Sequence, residues 1–173
     1  MDRIRYQPCE LPPNANALRT EVREFLNREF ADSPPSDRAN SWSDGDAEFS
    51  KKIGARGWIG MTWPKKYGGH ERSILERYVV QEELLAAGAP IALHHIADRQ
   101  SGPLLMRFGS KAQCLDILPR VTKGECYFCI GMSEPDTGSD LAAVRTKAEK
   151  VDGGYLVNGS KIWTSQLIYY SIR

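Results

Sequence analysis

Ile130-Gly131-Met132-Ser133-Glu134-Pro135-Asp136-Thr137-Gly138-Ser139-Asp140 is the stretch on which the fold turns. The segment that enters it, Tyr127 to Met132, alternates and is rich in β-favouring side chains, which predicts a strand. Pro135 has no N–H to give a ladder and pushes Glu134 into an extended conformation, so regular pairing should stop there. Asp136, Thr137 and Gly138 then make a turn, and Gly138 permits a positive φ or close approach by another molecule. Two small hydroxyls, Ser133 and Ser139, and several main-chain amides face outward from this loop. Such groups suit phosphate oxygens or the edge of a polar heterocycle. By spacing alone the commoner reading is a tight loop capped by its own serines, because short motifs recur by chance.

Working upstream, the period is helical. Leu18, Val22, Phe25, Leu26 and Phe30 recur at three and four residues and give one apolar stripe, with Asn14 or Asn16 as the cap. A polar, Pro-containing connection follows from Asp32 to Ser41. A short helix is expected from Ser43 or Asp44 to Arg56, with Gly57 to end it. Trp58 to Gly69 is a loop by composition, and its Trp58 and Trp63 are expected to pack down onto the core. Ser73 and Glu76 form a capping box for a third helix to about Ala87. Its Leu75, Tyr78, Val79, Leu84 and Leu85 surround much of the circumference, which predicts a well-buried helix. A fourth stretch covers Ile91 to Phe108, with Gly102-Pro103 as a kink or break. Ser110 starts a fifth helix through Leu118, with Leu115 and Leu118 toward the core, closed by Pro119 and Gly124. Adjacent His94 and His95 project in different directions and read as interior or boundary residues; an i, i+4 pair would be needed for a helical metal site.

Working downstream, the period becomes alternating at Glu125. Arg145 to Val151 is a second strand, Asp152-Gly153-Gly154 a hairpin signal, Tyr155 to Val157 a third strand, Asn158-Gly159 a second turn and Lys161 to Ser165 a fourth. Cys126 and Cys129 would point to opposite faces of a strand and have no second pair, which argues against zinc. The fold class is therefore α+β: an N-terminal all-α domain over 1–124, then an incomplete antiparallel β-domain over 125–173.

Composition narrows the function. A chain of 173 residues, 41% hydrophobic and 26% charged, can bury a core and remain solvated. A net charge of +1 with no basic run gives no footprint for nucleic acid. No apolar run approaches the roughly 20 residues of a membrane span. The N-terminus has no signal-peptide apolar region, so the expected location is cytoplasmic. The four cysteines make no disulfide framework in a chain this long.

Three stretches share a further property. Ser133-Glu134-Pro135 with Gly138-Ser139-Asp140 resembles the T/S-E-P-x-x-G-S-D signature of the acyl-CoA dehydrogenase family. Asn158-Gly159-Ser160-Lys161-Ile162-Trp163-Thr164-Ser165 is similar to its N-G-x-K-x-W-x-[ST] segment. Gly57-Trp58-Ile59-Gly60 with Pro64-Lys65-Lys66-Tyr67-Gly68-Gly69 is similar to its G-W-x-G and P-x-x-x-G-G loop. They occur in family order across most of the chain.

The resemblance implies an oxidoreductase of lipid or fatty acid metabolism that desaturates an acyl-CoA thioester and uses FAD. It implies that the Ser133 hydroxyl bonds the flavin pyrimidine edge with the Met132 and Ser133 backbone nearby, that Ser139 contacts pyrophosphate, that Trp163 packs on the ring, and that the Ser165 hydroxyl lies near N5. Ser in place of Thr at 133 and 165, and Gln166 in place of Asn, keep hydrogen-bonding capacity. The family's base is a carboxylate in a C-terminal helical domain with no counterpart here, so the chain alone is expected to be inactive. It would be a truncated product, an excised piece or one part of an enzyme completed by another chain. Implied partners are acyl-CoA, an electron-transfer flavoprotein or similar acceptor, and further copies or a completing chain. The alternatives are a non-catalytic interaction module and a flavin monooxygenase or oxidase of the same fold.

Overall fold

Capping chemistry sets the helix starts. The computed structural model describes residues 10–164. Helix α1, Pro13–Glu29, opens with proline at its first position, where the missing N–H costs nothing and the fixed φ already suits a helix. The expected Asn14 or Asn16 cap is therefore not used; Asn16 Nδ2 instead donates to the Leu11 carbonyl at 3.3 Å. Helix α2, Ala47–Ala55, starts after Asp46, whose carboxylate accepts from the Glu48 and Phe49 amides. The start lies later than Ser43 or Asp44 because Asp46 can satisfy two orphan amides. Helix α3, Ile74–Ala86, carries the full Ser73–Glu76 capping box.

The fourth stretch is one helical run in three parts: α4, Ala92–Ile96, a π-helical turn over Ala97–Ser101, and α5, Gly102–Phe108. The expected break at Gly102-Pro103 is absorbed as this widened turn. Pro103 cannot donate backward, and its ring would crowd the carbonyl four residues earlier. Helix α6, Lys111–Thr122, is capped by Ser110 and Gln113 and continues through Pro119 to a left-handed Gly124, one turn beyond the expected end.

The chain divides into two units, Met1–Cys126 and Tyr127–Arg173. In the first, α1 packs on α3, and Leu18, Val22, Phe25 and Leu26 are buried, as are Val79, Val80 and Leu84. Phe25 meets Trp58 edge-on at 5.3 Å and Phe49 at 6.1 Å, and the Arg56 guanidinium lies 4.3 Å from the Phe25 ring centre. Trp58 and Trp63 are both buried, as the loop composition suggests. Glu83, buried on α3, accepts from Arg23 at 2.7 and 3.0 Å and from Arg19, fastening α3 to α1. Helix α3 is less enclosed than expected: Ile74, Leu75, Tyr78 and Leu85 are exposed, and so is Leu115 of α6. Their spacing marks an apolar surface, but no described residue covers it.

In the second unit β1, Lys147–Val151, and β2, Gly154–Asn158, form a two-stranded antiparallel sheet. They pair Ala148 with Val157, Glu149 with Leu156 and Lys150 with Tyr155 across the turn at Asp152-Gly153. The expected strands at 127–132 and from Lys161 are not formed among the described residues, although their side chains suit one. A ladder needs a run of paired N–H and C=O groups, and among the described residues these segments show only isolated contacts, such as a single bridge at Ile130 and the Ile162 amide bonded to the Ser133 carbonyl. Asn158-Gly159 accordingly is not a hairpin turn. No helix among the described residues is long and apolar enough to cross a membrane.

Candidate functional site

The turn after Ser133 is tighter and one residue earlier than composition suggests. Glu134 and Thr137 exchange both main-chain hydrogen bonds, at 2.8 and 3.1 Å, so Pro135 and Asp136 are the two central residues. Proline suits that first central position because its φ is already fixed there. Gly138 has no positive φ, and the space a side chain would take there is open.

Glu134 is 7% exposed, and its carboxylate organises the unit. Oε2 accepts from the Arg145 amide at 2.7 Å; Oε1 accepts from the Thr146 amide and from Lys161 Nζ, each at 2.9 Å. The Thr146 hydroxyl beside it, then the Arg145 amide, Lys161 and the Thr146 amide, hold this carboxyl down to about 2. That hydroxyl is buried without a well-formed hydrogen bond, so the two amides and the ammonium are the firm contacts. Lys161 also donates to the Met132 carbonyl at 3.0 Å, and the Ile162 amide donates to the Ser133 carbonyl at 2.9 Å.

These bonds bring Met132 and Ser133 alongside 161–162, one residue before Trp163. Met132 is 53% exposed and Trp163 85% exposed. Trp163 also has φ 57°, a left-handed backbone that bulky side chains seldom adopt. Ser139 lies on the exposed bend beyond the turn, and no bond ties it to Lys161 or Trp163. The hydroxyls of Ser133 and Ser139 have no hydrogen-bond partner among the described residues. Ser165 lies outside the described residues.

Sequence reasoning missed Thr146 and Lys161 as partners of Glu134. One signal was available in Gly159: a Cβ there would lie 2.1 Å from Thr146 Oγ1, so only glycine lets the chain come down on this carboxylate.

In the first unit, His94 is 1% exposed. Ser50 Oγ donates its one hydrogen to the Asp46 carbonyl at 2.9 Å, so toward His94 Nδ1, also at 2.9 Å, it acts as acceptor. The proton of the neutral ring is thereby assigned to Nδ1, and Nε2 is a buried lone pair without a partner among the described residues. Burial, then neighbouring His95, pushes the His94 imidazole down to about 3. Both histidines lie inside the helical unit, as expected.

Residues 12–125 match the acyl-CoA dehydrogenase N-terminal domain, and residues 129–167 match the acyl-CoA dehydrogenase middle domain. The acyl-CoA dehydrogenase FadE26 of Mycobacterium tuberculosis is 34% identical over 166 residues, covering 91% of this chain and 40% of that protein. The ChsE4-ChsE5 complex from Mycobacterium tuberculosis superposes with a TM-score of 0.80 at 33% identity, over 94% of this chain and 41% of the other. A glutaryl-CoA dehydrogenase from Mycobacterium smegmatis in complex with FADH2 superposes with a TM-score of 0.71 at 25% identity, over 89% and 39%. The chain thus spans about two fifths of the length of these relatives. With both domain matches following one another in order on a helical unit and a β-unit, this chain belongs to the acyl-CoA dehydrogenase family.

Proposed function

We propose that the chain supplies the N-terminal helical portion and a flavin-contacting loop of a dehydrogenase that introduces an α,β double bond into an acyl-CoA thioester. The observation that carries this is Trp163. Its ring is exposed, its backbone is strained, and its segment is bonded to the Ser133 segment. Strain of that kind persists only where the surroundings enforce it, and it concentrates at ligand sites.

The groups present suit FAD. Trp163 and Met132 offer exposed apolar surface for a planar ring. By the resemblance, the Ser133 hydroxyl would hydrogen-bond the pyrimidine edge and Ser139 the pyrophosphate, and the N5 role would fall to Ser165, outside the described residues. A bound flavin supplies the hydride acceptor. The α-proton needs a base, and Glu134 is not that base. A carboxyl held near 2 is a weak proton acceptor, and both its oxygens are already occupied. Turnover therefore needs a carboxylate other than Glu134, and a dye-reduction assay of the isolated chain is expected to show none. Acyl-CoA is the substrate, an electron-transfer flavoprotein or similar acceptor reoxidises the flavin, and the enzyme works as a homo-oligomer or with a completing chain.

The test is a titration of the purified chain with FAD, followed by flavin fluorescence. Saturable binding is expected, weakened about five- to tenfold in Trp163→Ala through loss of an aromatic contact of roughly 1–1.5 kcal/mol. No binding, or equal binding by Trp163→Ala, refutes the reading. Turnover of any acyl-CoA in a dye-reduction assay by the chain alone refutes the account of the missing base.

A further inference from the structure

Three pieces of the second unit converge on one carboxylate: the turn from Ser133 to Thr137, the entry to β1 at Arg145 and Thr146, and the segment beginning at Gly159. We propose that Glu134 is a positioning residue, whose grip on Lys161 and on the Arg145 and Thr146 amides fixes the Ser133 hydroxyl and the Trp163 ring in one relation. The proposal rests on the flavin reading in one respect, that flavin is what this relation serves.

Glu134 adjoins Ser133 in sequence, and Lys161 stands two residues before Trp163. Each grip therefore acts next to a group that would face the flavin. The Lys161 ammonium is shared between the Met132 carbonyl at 3.0 Å and Glu134 Oε1 at 2.9 Å, so one cation ties both sides of the junction. Besides these side-chain bonds, the Ile162 amide to the Ser133 carbonyl is the main-chain bond joining 131–134 to 161–164 among the described residues. A single neutral hydrogen bond is a weak restraint for a tryptophan held in left-handed backbone. Bonds to an ionised carboxylate are shorter and roughly twice as strong. Burial adds specificity, because a carboxylate out of water has to keep its donors. Gly159 completes the arrangement, since any side chain there would strike Thr146. The Arg145 guanidinium pairs with Asp136 instead, at 3.2 Å, and leaves the Glu134 oxygens to the amides and Lys161.

The test is amide-resolved hydrogen exchange by NMR on the full chain, comparing wild type with Glu134→Gln and Lys161→Met. In Glu134→Gln, exchange is expected to speed up at least tenfold at Arg145, Thr146 and Ile162. Acceleration at Arg145 and Thr146 alone would mean that Glu134 only caps the entry to β1, and would overturn the proposal; so would no acceleration. Should Glu134→Gln unfold the unit, Lys161→Met decides, because it keeps the carboxylate and both amide donors. Ile162 is then expected to accelerate while Arg145 and Thr146 stay slow, and an unchanged Ile162 overturns the proposal. FAD titration separates the two readings. Both variants keep Ser133 and Trp163, and each is expected to bind FAD at least tenfold more weakly than wild type. Wild-type affinity in both overturns positioning. A wild-type chain that binds no FAD sinks the flavin reading and leaves the exchange data to decide the role of Glu134 alone.

Discussion

Gly102→Ala should destabilise the helical unit, although alanine is the better helix former. A Cβ at this position would sit 2.2 Å from both Cη2 and Cζ2 of Trp63. Ordinary carbon contacts lie near 3.5 Å, so the ring or the helix must give way by about 1.3 Å. Trp63 has nowhere to go. It is 3% exposed, and the Gly60 backbone lies so close that a Cβ on Gly60 would fall 3.0 Å from Cε3 of the ring. Overpacking of this severity costs about 3 kcal/mol, at the upper end of the usual range. Replacing glycine in a helix returns about 1 kcal/mol. The net loss is about 2 kcal/mol, roughly thirtyfold in the folding equilibrium. Urea unfolding followed by far-UV circular dichroism reads this unit, because the helices lie in it. The control is the same substitution in a Trp63→Leu background, which removes the offending ring atoms. There the cost should vanish or become a gain of under about 1 kcal/mol, limited by the Ala97 carbonyl at 2.9 Å. A cost that persists undiminished in that background, or no cost in wild type, would refute the steric argument.

Two further outcomes follow from buried ionisable groups. The His94 imidazole is pushed from 6.5 to about 3 in the folded chain, so between those values the unfolded chain takes up a proton that the folded chain refuses. Stability should therefore fall as pH drops from about 6.5 toward 3, by up to about 1.4 kcal/mol per pH unit from this residue. Urea midpoints at pH 4, 5 and 7 should show a shallower acid loss in His94→Phe, and an identical slope would remove His94 as the cause. Burial acts to raise the Glu83 carboxyl, but the Arg23 and Arg19 guanidiniums outweigh it and hold it below the usual range. Glu83→Gln should cost about 2–3 kcal/mol, below the value for a fully enclosed pair because Arg23 is largely solvated. A change under about 0.5 kcal/mol by urea unfolding at pH 7 would show that α1 and α3 need no such tie.

Of the candidate site, the sequence displayed the residue types and their order but not what holds them. Ser133, Ser139 and Trp163 stand out because hydroxyls, a turn and an aromatic recur in a recognisable spacing. Glu134 stood in the same motif, yet its partners are 11, 12 and 27 residues away, and no local periodicity connects them. The strands expected at 127–132 and from Lys161 show the same limit from the other side. Alternation reports which face of a segment could be buried, and only a neighbouring backbone turns that into a strand.

What the sequence by itself determined is therefore what local chemistry controls. The boxes Ser73–Glu76 and Ser110–Gln113, the buried stripe of α1, the two-residue turn at Asp152-Gly153 and the succession of a helical and a β-unit all depend on residues within a few positions of one another. Only the tertiary structure decided that Pro119 lies inside a helix, that the Gly102 break becomes a π-turn against Trp63, and that Glu134 is spent on amides and a lysine rather than on protons. Each of these depends on groups brought together from distant parts of the chain. A buried ring or carboxylate takes its neighbours from the whole fold, whereas a cap or a turn takes them from the next few residues.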